Sequence, residues 1–292
     1  MDSNDIWIVL TGSIIAINCS LLGVFLILRK MAMIGDAISH SILPGIVLAF
    51  LFFGERNAFF MILGAVLFGL LLVFMVEYFT TKINLQNDVS IGFSYTFLFA
   101  LGIILISLFT GKVDIDTDCV LYGEIGYVPL DTVYIMDTDI GPRSFWITIM
   151  VLLSLLILLK IGFKALYITS FDPNYASSIG VPVVLWNYFL MTQVSVVAVT
   201  SFESVGAILV ISFLVVPPAT AYLVTDKIKP LFIGSAVIGV LSSVLGYTLS
   251  IWLNVSISAS MAVVSGLFFT LALIFSSLKK KRDINKYLSY RE

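Results

Sequence analysis

Nine apolar stretches, each about 20 residues long, recur along the chain and restrict its fold more than any other feature. A helix rises about 1.5 Å per residue, so roughly 20 residues cross the hydrocarbon core of a bilayer. Only 12% of the residues are charged and 60% are hydrophobic, whereas about 25% of the residues of a soluble domain are charged. Within lipid the backbone must satisfy its own hydrogen bonds, so we predict an all-α polytopic membrane protein. The stretches lie at 6–28, 32–53, 57–78, 89–110, 145–163, 183–201, 204–224, 231–253 and 256–278.

The distribution of basic residues predicts the orientation of these helices. The segment 279–292, KKKRDINKYLSYRE, is basic, and the positive-inside rule places such a segment in the cytoplasm. With that orientation, 13 of the 16 Lys and Arg residues lie on the cytoplasmic side and three lie outside. Nine spans then put the N-terminus outside. We expect one transmembrane domain over 1–278 and a cytoplasmic tail over 279–292. The second stretch is the candidate for a re-entrant segment, which would leave eight full spans, because Gly35, Pro44 and Gly45 interrupt it.

Two predicted loops are longer than the others. The outside loop 111–144 carries seven acidic residues against two basic ones, so it either attracts cations to that face or is simply solvated. The sequence of the predicted cytoplasmic loop, 164–182, indicates a short helix over 171–180. Asp172 is its N-cap, Pro173 is at the first helical position and Gly180 lies beyond its end. A capped helix outside the bilayer is either a docking site for a partner protein or a connector.

Asp36 and His40 are the most unusual polar residues of the spans, and His40 is the only histidine in the chain. Their spacing of four places both side chains on one face of a helix. Counted from the predicted cytoplasmic end, they lie roughly 9 and 15 Å deep, where ionisable groups are costly and usually mark an ion path. The pair can bind a metal ion, relay protons or form a structural contact. Two ligands do not complete a metal shell, but a symmetric dimer would supply two more.

Other polar or helix-breaking residues give weaker indications. Glu203 either lines an outer entrance or marks an aqueous turn between the sixth and seventh spans. Pro217 and Pro218 should kink the seventh span and are candidates for a gate. Glu77 and Asp88 are interpreted as ordinary interfacial charges. The chain has no GxxxxGK[ST] motif and no nucleophile paired with a base, so we do not predict an enzyme.

Five stretches, in a fixed order over most of the chain, give it a specific resemblance to a known family. They are MIGDAISHSILPG, NDVSIGFSYTFLFALGIILIS, DCVLYGEIGYVPLD, FDPNYASSIGVP and SFESVGAILVISFLVVPPATAYL. With DAxSHxxLPG as the most specific element, the chain resembles the integral-membrane permeases of ATP-binding-cassette importers for manganese, zinc and iron. The resemblance implies the fold of a type II importer permease and a place in the cytoplasmic membrane of a bacterium.

The resemblance also implies that several proteins share the transport. A second permease chain, identical or a sister subunit, would complete the pathway, a cytoplasmic ATPase dimer would drive it, and an extracytoplasmic metal-binding protein would deliver the ion. In that family the Asp and His of the DAxSH element are thought to hold the ion, and here they are Asp36 and His40. The short helix resembles the coupling helix that docks on the ATPase, so Asp172, Ala176 and Gly180 are expected to transmit its movement.

The expected function is therefore ATP-driven import of a divalent transition metal by alternating access, with no cofactor bound by this chain. A carboxylate and an imidazole with no cysteine nearby suit manganese better than zinc, and iron ranks third. The alternative is an ion-coupled secondary carrier that uses the same two residues for proton exchange. Such a carrier would need neither a coupling helix nor an ATPase.

Overall fold

The computed structural model describes residues 3–53, 58–109, 124–135 and 138–289. Within these ranges the chain is almost entirely helical, with a 3₁₀ helix at Ile125–Leu130 and one hairpin of two strands, β1 (Thr132–Ile135) and β2 (Thr138–Pro142). The α-helices are α1 (Ser3–Leu28), α2 (Ile34–Ser41), α3 (Leu43–Phe53), α4 (Ala58–Lys82), α5 (Asn87–Phe109), α6 (Arg143–Phe171), α7 (Pro173–Ser178), α8 (Val183–Val205), α9 (Ala207–Val224), α10 (Ile228–Leu253) and α11 (Ile257–Ser289).

Nine helical stretches within the described ranges are long and apolar enough to cross a membrane, which confirms the nine predicted spans. Helices α2 and α3 together form the second span. Helix α1 lies centrally, because it packs along α9 and α10 and also along α6. Helices α2 to α5 form a second group, and α8 joins the two groups since it contacts both α1 and α4. The largest fully buried side chains include Phe25 of α1 and Phe213 of α9, which mark the core.

The two ends of the helix bundle differ in charge. Side-chain hydrogen bonds join the ends of α1, α4 and α6 to the start of α8, so these termini lie together. This end carries Lys30, Lys82 and Lys164, and we call it the basic end. It is the end that the distribution of Lys and Arg assigns to the cytoplasm.

The second span is interrupted at Ile42. Pro44 has no N–H group, so it cannot donate to the carbonyl of His40 one turn earlier, and the helical pattern breaks there. The amide of Ile42 still donates to the carbonyl of Ile38 at 3.2 Å, and that of Ile46 donates to Ile42 at 3.1 Å. The two halves therefore remain joined as one helical stretch of 20 residues, which is long enough to cross a membrane.

Two helix pairs approach so closely that only glycine fits between them. A Cβ at Gly23 of α1 would overlap the carbonyl oxygen of Leu214 in α9, a carbonyl that Pro218 leaves without its usual helical donor. A Cβ at Gly45 of α3 would overlap the carbonyl oxygen of Gly64 in α4. Small residues allow this approach of backbones in membrane proteins. The second span is thereby held directly against α4.

The predicted acidic loop 111–144 contains regular structure. Its residues 111–123 and 136–137 lie outside the described residues. The hairpin, in which Ile135 pairs with Thr138, is an addition to the predicted all-α class. Glu124 is engaged rather than merely solvated, because its carboxylate accepts hydrogen bonds from the amide of Ile257 at 2.9 Å and the hydroxyl of Ser256 at 3.0 Å. This acid therefore fixes the start of α11.

Three predicted boundaries shift in the structure. Helix α6 is longer than the predicted fifth span, 145–163, and includes the first part of the predicted cytoplasmic loop. Helix α7 is shorter than the predicted 171–180. Helix α11 continues into the predicted tail 279–292 and ends at Ser289. Hydropathy detects only the part of a helix that lies in lipid, whereas the helix itself can continue beyond the membrane surface.

Candidate functional site

One face of α2 is left uncovered by the rest of the chain. Met33 is 60% exposed, and Asp36 and His40 are partly exposed, whereas the other residues of α2 are buried. The three uncovered positions are three and four residues apart, so they form a single line along the helix. We call these three residues the open stripe. The structure therefore brings the two predicted metal ligands together on a surface that the described residues leave open.

The carboxylate and the imidazole can bind one ion together. His40 Nε2 lies 3.6 Å from Asp36 Oδ1, which is too long for a hydrogen bond. The side chain of His40 is 33% exposed and that of Asp36 is 38% exposed. The hydroxyl of Ser39 donates to the backbone carbonyl of Asp36 at 2.6 Å, so it does not engage the carboxylate. The pair is therefore not hydrogen-bonded to itself, and both side chains stay partly accessible to a further binding partner.

Two aromatic rings of α5 flank the imidazole of His40. Phe99 meets it edge to face with ring centroids 5.2 Å apart, and the centroid of Tyr95 lies 5.9 Å away. Aromatic contacts of this kind restrict the orientation of a ring. Sequence analysis did not identify these residues, and the only available signal was their spacing of four on α5.

The backbone beside His40 adds a further polar group. Its carbonyl lacks a helical donor because the residue four positions later is Pro44. Carbonyl oxygens, like carboxylates, suit hard divalent cations. The interruption of the span and the predicted ligands therefore coincide.

One chain does not provide a complete metal site. Across the described ranges, no three His, Cys, Asp or Glu side chains lie close enough to hold a metal ion together. Asp36 and His40 supply two ligands, whereas zinc usually takes about four and manganese about six. Any ion held at the open stripe needs ligands in addition to the described side chains.

Helix α7 has the caps that the sequence predicts. Asp172 Oδ1 accepts a hydrogen bond from the amide of Tyr175 at 2.9 Å, Pro173 is the first helical residue, and Gly180 has a φ of +83°. Ala176 is fully buried, whereas the side chain of Tyr175 is 56% exposed. Helix α7 thus has one side against the chain and another facing outward, and it follows α6 at the basic end.

The remaining predicted site residues lie apart from the open stripe. Glu203 is exposed in the last turn of α8, at the end of that helix opposite to the basic end. Pro217 and Pro218 are buried in α9, which continues through both as one helix. Helix α9 meets α2 near Gly35, where a Cβ would lie 3.0 Å from the Leu214 side chain. The two prolines are therefore about one turn from a contact with α2, and Glu203 is remote from it.

A second polar cluster, at the basic end, was not predicted. The guanidinium of Arg29, which follows α1, donates from Nη1 to Asn187 Oδ1 at 2.6 Å. It also donates from Nε to Ser170 Oγ at 2.9 Å and from Nη2 to Thr169 Oγ1 at 3.0 Å. The amide of Asn187 donates in turn to Glu77 Oε2 at 2.6 Å. We call these five residues the Arg29 cluster.

The Arg29 cluster corrects one sequence-based interpretation. Glu77 is not an ordinary interfacial charge, because it is bonded to a side chain of α8 that also binds Arg29. Burial lowers the pKa of Arg29 to about 10, while the carboxylate of Glu77 acts in the opposite direction. Arg29 therefore stays charged at neutral pH, and the cluster holds a partly buried cation with a nearby, partly buried anion.

The nine spans of the described residues, packed around a central α1, define a polytopic membrane protein. The sequence pattern described as "ABC 3 transport family" matches residues 2–276. The chain therefore belongs to the ABC 3 transport family, which confirms the resemblance seen in the sequence.

Two relatives and one solved structure show how close the similarity is. The chain is 44% identical over 288 residues to the manganese transport system membrane protein MntD of Bacillus subtilis, and the match covers 97% of each. It is 39% identical over 269 residues to the zinc transport system membrane protein TroD of Treponema pallidum, covering 92% of this chain and 73% of the relative. The fold is similar to PsaBC from Streptococcus pneumoniae in complex with Fab, with a TM-score of 0.74, 33% identity and coverage of 93% and 91%.

Proposed function

We propose that this chain is the permease of a bacterial ATP-driven importer that carries Mn²⁺, and Zn²⁺ less well, across the cytoplasmic membrane. The observation that carries the proposal is the open stripe, where a carboxylate and an imidazole share an uncovered face of an interrupted span. Relatives named for manganese and for zinc transport support the choice of substrate. The transported ion is the substrate, and the proposal includes no resident cofactor.

The open stripe supports a second permease chain as a partner. Ionisable groups at this depth cost several kcal/mol when they face lipid, and about a third of each side chain is uncovered in the single chain. A second copy or a sister chain packed on this face would remove Asp36 and His40 from lipid. A symmetric arrangement would also double the ligand set to two carboxylates and two imidazoles.

The ligand chemistry favours Mn²⁺ over Zn²⁺. Carboxylate and carbonyl oxygens suit manganese, whereas thiolate ligands, which would favour zinc, are not among the proposed set. The imidazole of His40 binds both metals. Between the two subunits, Asp36 and the carbonyl of His40 would give the site its harder, oxygen-rich character.

Helix α7 is proposed as the docking element for a cytoplasmic ATPase. Its N-cap Asp172 fixes its start, Ala176 anchors its inner side, and Gly180 permits the turn that returns the chain to α8. The exposed side of α7, with Tyr175, is then free for the ATPase. Because α6 and α8 directly precede and follow α7 in the chain, a displacement of α7 by the ATPase would move both spans.

The opposite end of the bundle is proposed to receive the ion. Glu203 is exposed there and would attract a cation released by an extracytoplasmic binding protein. Pro217 and Pro218 would let α9 flex where it approaches α2, and so act as part of a gate. These roles give each predicted residue a position along one path from Glu203 to the basic end.

Reconstitution tests the proposal. The chain, its permease partner and the ATPase are placed in lipid vesicles, and Mn²⁺ uptake is measured with and without ATP and again with Zn²⁺. We expect uptake only with ATP and the ATPase. Asp36→Asn and His40→Gln should each lower it at least about 10- to 100-fold, the loss caused even by outer partners of metal ligands.

Met33→Leu is the matched control, because it changes an exposed residue of the same stripe without removing a ligand. It should transport as the wild type does. Uptake that persists without the ATPase would instead indicate an ion-coupled carrier. Normal uptake by the Asp36 and His40 variants at equal protein levels would refute the proposed site.

A further inference from the structure

The Arg29 cluster joins four spans at the point where α7 leaves the bundle. Arg29 follows α1, Thr169 and Ser170 lie in the last turn of α6, Asn187 lies in the second turn of α8, and Glu77 lies near the end of α4. Helices α6 and α8 are the two that flank α7. Each of these hydrogen bonds therefore links α6 or α8 to either α1 or α4.

Helices α6 and α8 are also held together by a second contact, outside the Arg29 cluster. A Cβ at Gly162 of α6 would overlap the indole of Trp186 in α8. Such close contact leaves little room for the two helices to slide independently. Helices α6 and α8, which flank α7, therefore form one rigid unit. The hydrogen bonds of the Arg29 cluster link this unit to α1 and α4.

The link to α4 continues to the open stripe. Two turns before Glu77, at Gly69, a Cβ would lie 2.9 Å from Ser195 Oγ of α8 and 3.9 Å from Ile38 of α2. Ile38 lies between the two proposed ligands, on the buried face of the same short helix. The packing of α8 against α4 therefore extends to α2, the helix that carries the two proposed ligands.

We propose that Arg29 is a positioning residue that transmits displacement of α7 to α1 and, through Asn187, to α4 and the ligand helix. The inference rests on the proposed function, since it needs an ATPase that moves α7. A guanidinium suits this role because its planar set of donors holds several acceptors in a fixed geometry. A lysine would keep the charge but not that geometry.

Coupling between ATP hydrolysis and uptake tests the inference. Vesicles holding the complete importer are loaded with ATP, and Mn²⁺ uptake and phosphate release are measured in the same sample for wild type and Arg29→Lys. We expect Mn²⁺ carried per ATP hydrolysed to fall at least about fivefold, the lower range of coupling between sites. Lys30→Gln and Lys82→Gln, which change exposed basic residues at the same end, should keep the wild-type ratio.

Asn187→Asp provides a second variant that cuts the link at another place. The aspartate still accepts from Arg29, but it repels the carboxylate of Glu77 instead of donating to it, so the connection to α4 is broken. Its ratio should fall as well, and it decides the matter if Arg29→Lys does not assemble. An unchanged ratio in the assembled variants, including a parallel fall of uptake and hydrolysis, would overturn the inference. A wild-type importer that hydrolyses ATP without taking up Mn²⁺ would refute the proposed function itself.

Discussion

The open stripe and the Arg29 cluster contain the chain's two most unusual sets of polar side chains, and they differ in how those side chains are satisfied. Arg29 has three side-chain acceptors within the chain. Asp36 and His40 face outward and lie 3.6 Å apart. Arg29 is partly buried, and a charge that loses its hydrogen-bond partners there is costly, so the bonded cluster stabilises the fold. The unfilled pair is tolerable only if something outside the chain completes it. The contrast separates residues that hold the bundle together from residues that bind.

The largest expected effect is on folding, at the cluster. Arg29→Met removes a cation that donates three side-chain hydrogen bonds. Hydrogen bonds to charged groups contribute about 1.5–3 kcal/mol each, so the free energy of unfolding should fall by at least about 3 kcal/mol. Asp36→Asn, on the open stripe, should change it by no more than about 0.5 kcal/mol. Thermal unfolding of the purified permease in detergent compares the two. Lys30→Met is the control. If the Arg29 and Asp36 variants lose the same free energy of unfolding, the Arg29 cluster and the open stripe do not differ in their contribution to the fold.

The second effect concerns what fills the open stripe. Mn²⁺ at about 100 times its Kd should stabilise the assembled permease by about 2.7 kcal/mol, because it binds only the folded state. The double variant Asp36→Asn/His40→Gln should lose this stabilisation completely. The melting temperature with and without Mn²⁺ measures it, with Met33→Leu as the control. If Mn²⁺ still raises the melting temperature of the double variant, the ion binds at another site.

Asp36 and His40 of the open stripe could be predicted from the sequence because their signals are local and rare. A single histidine four residues after an aspartate stands out in apolar surroundings. The caps of α7 were also predictable, since Asp172 bonds to an amide only three residues away. In both cases the relevant residues lie within one or two turns of the same helix. Periodicity and capping rules describe that range well.

The Arg29 cluster could not be predicted in this way. Its hydrogen bonds join residues separated by 110 to 158 positions in the chain. The sequence around Glu77 is that of any charged residue near the end of a span, and Asn187 and Thr169 are common polar residues. Only the packing of α4, α6 and α8 around α1 brings them together. The hydrogen bond that the amide of Ile257 donates to the carboxylate of Glu124, 133 positions away, escaped prediction for the same reason.

The third prediction concerns the interruption beside the open stripe. Pro44→Ala supplies an N–H for the carbonyl of His40, so α2 and α3 can merge into a regular helix. Uptake should fall by the equivalent of about 0.5–2 kcal/mol, typical for residues that modulate coupling without contacting a ligand through their side chains. Pro182→Ala, just before α8, serves as the control. Unchanged Mn²⁺ uptake in the Pro44 variant would mean that the interruption has no part in transport.

The smallest effect should come from the aromatic rings that orient His40. Phe99 meets the imidazole edge to face at 5.2 Å, and such a contact contributes about 0.5–1.5 kcal/mol. Phe99→Leu should therefore weaken Mn²⁺ binding about 2- to 10-fold, while Phe97→Leu, at a position 51% exposed, should not. Mn²⁺-dependent stabilisation across a concentration series gives both affinities. If the Phe99 variant binds as tightly as the wild type, coordination alone orients the imidazole, and the open stripe needs only its two ligands and a partner chain.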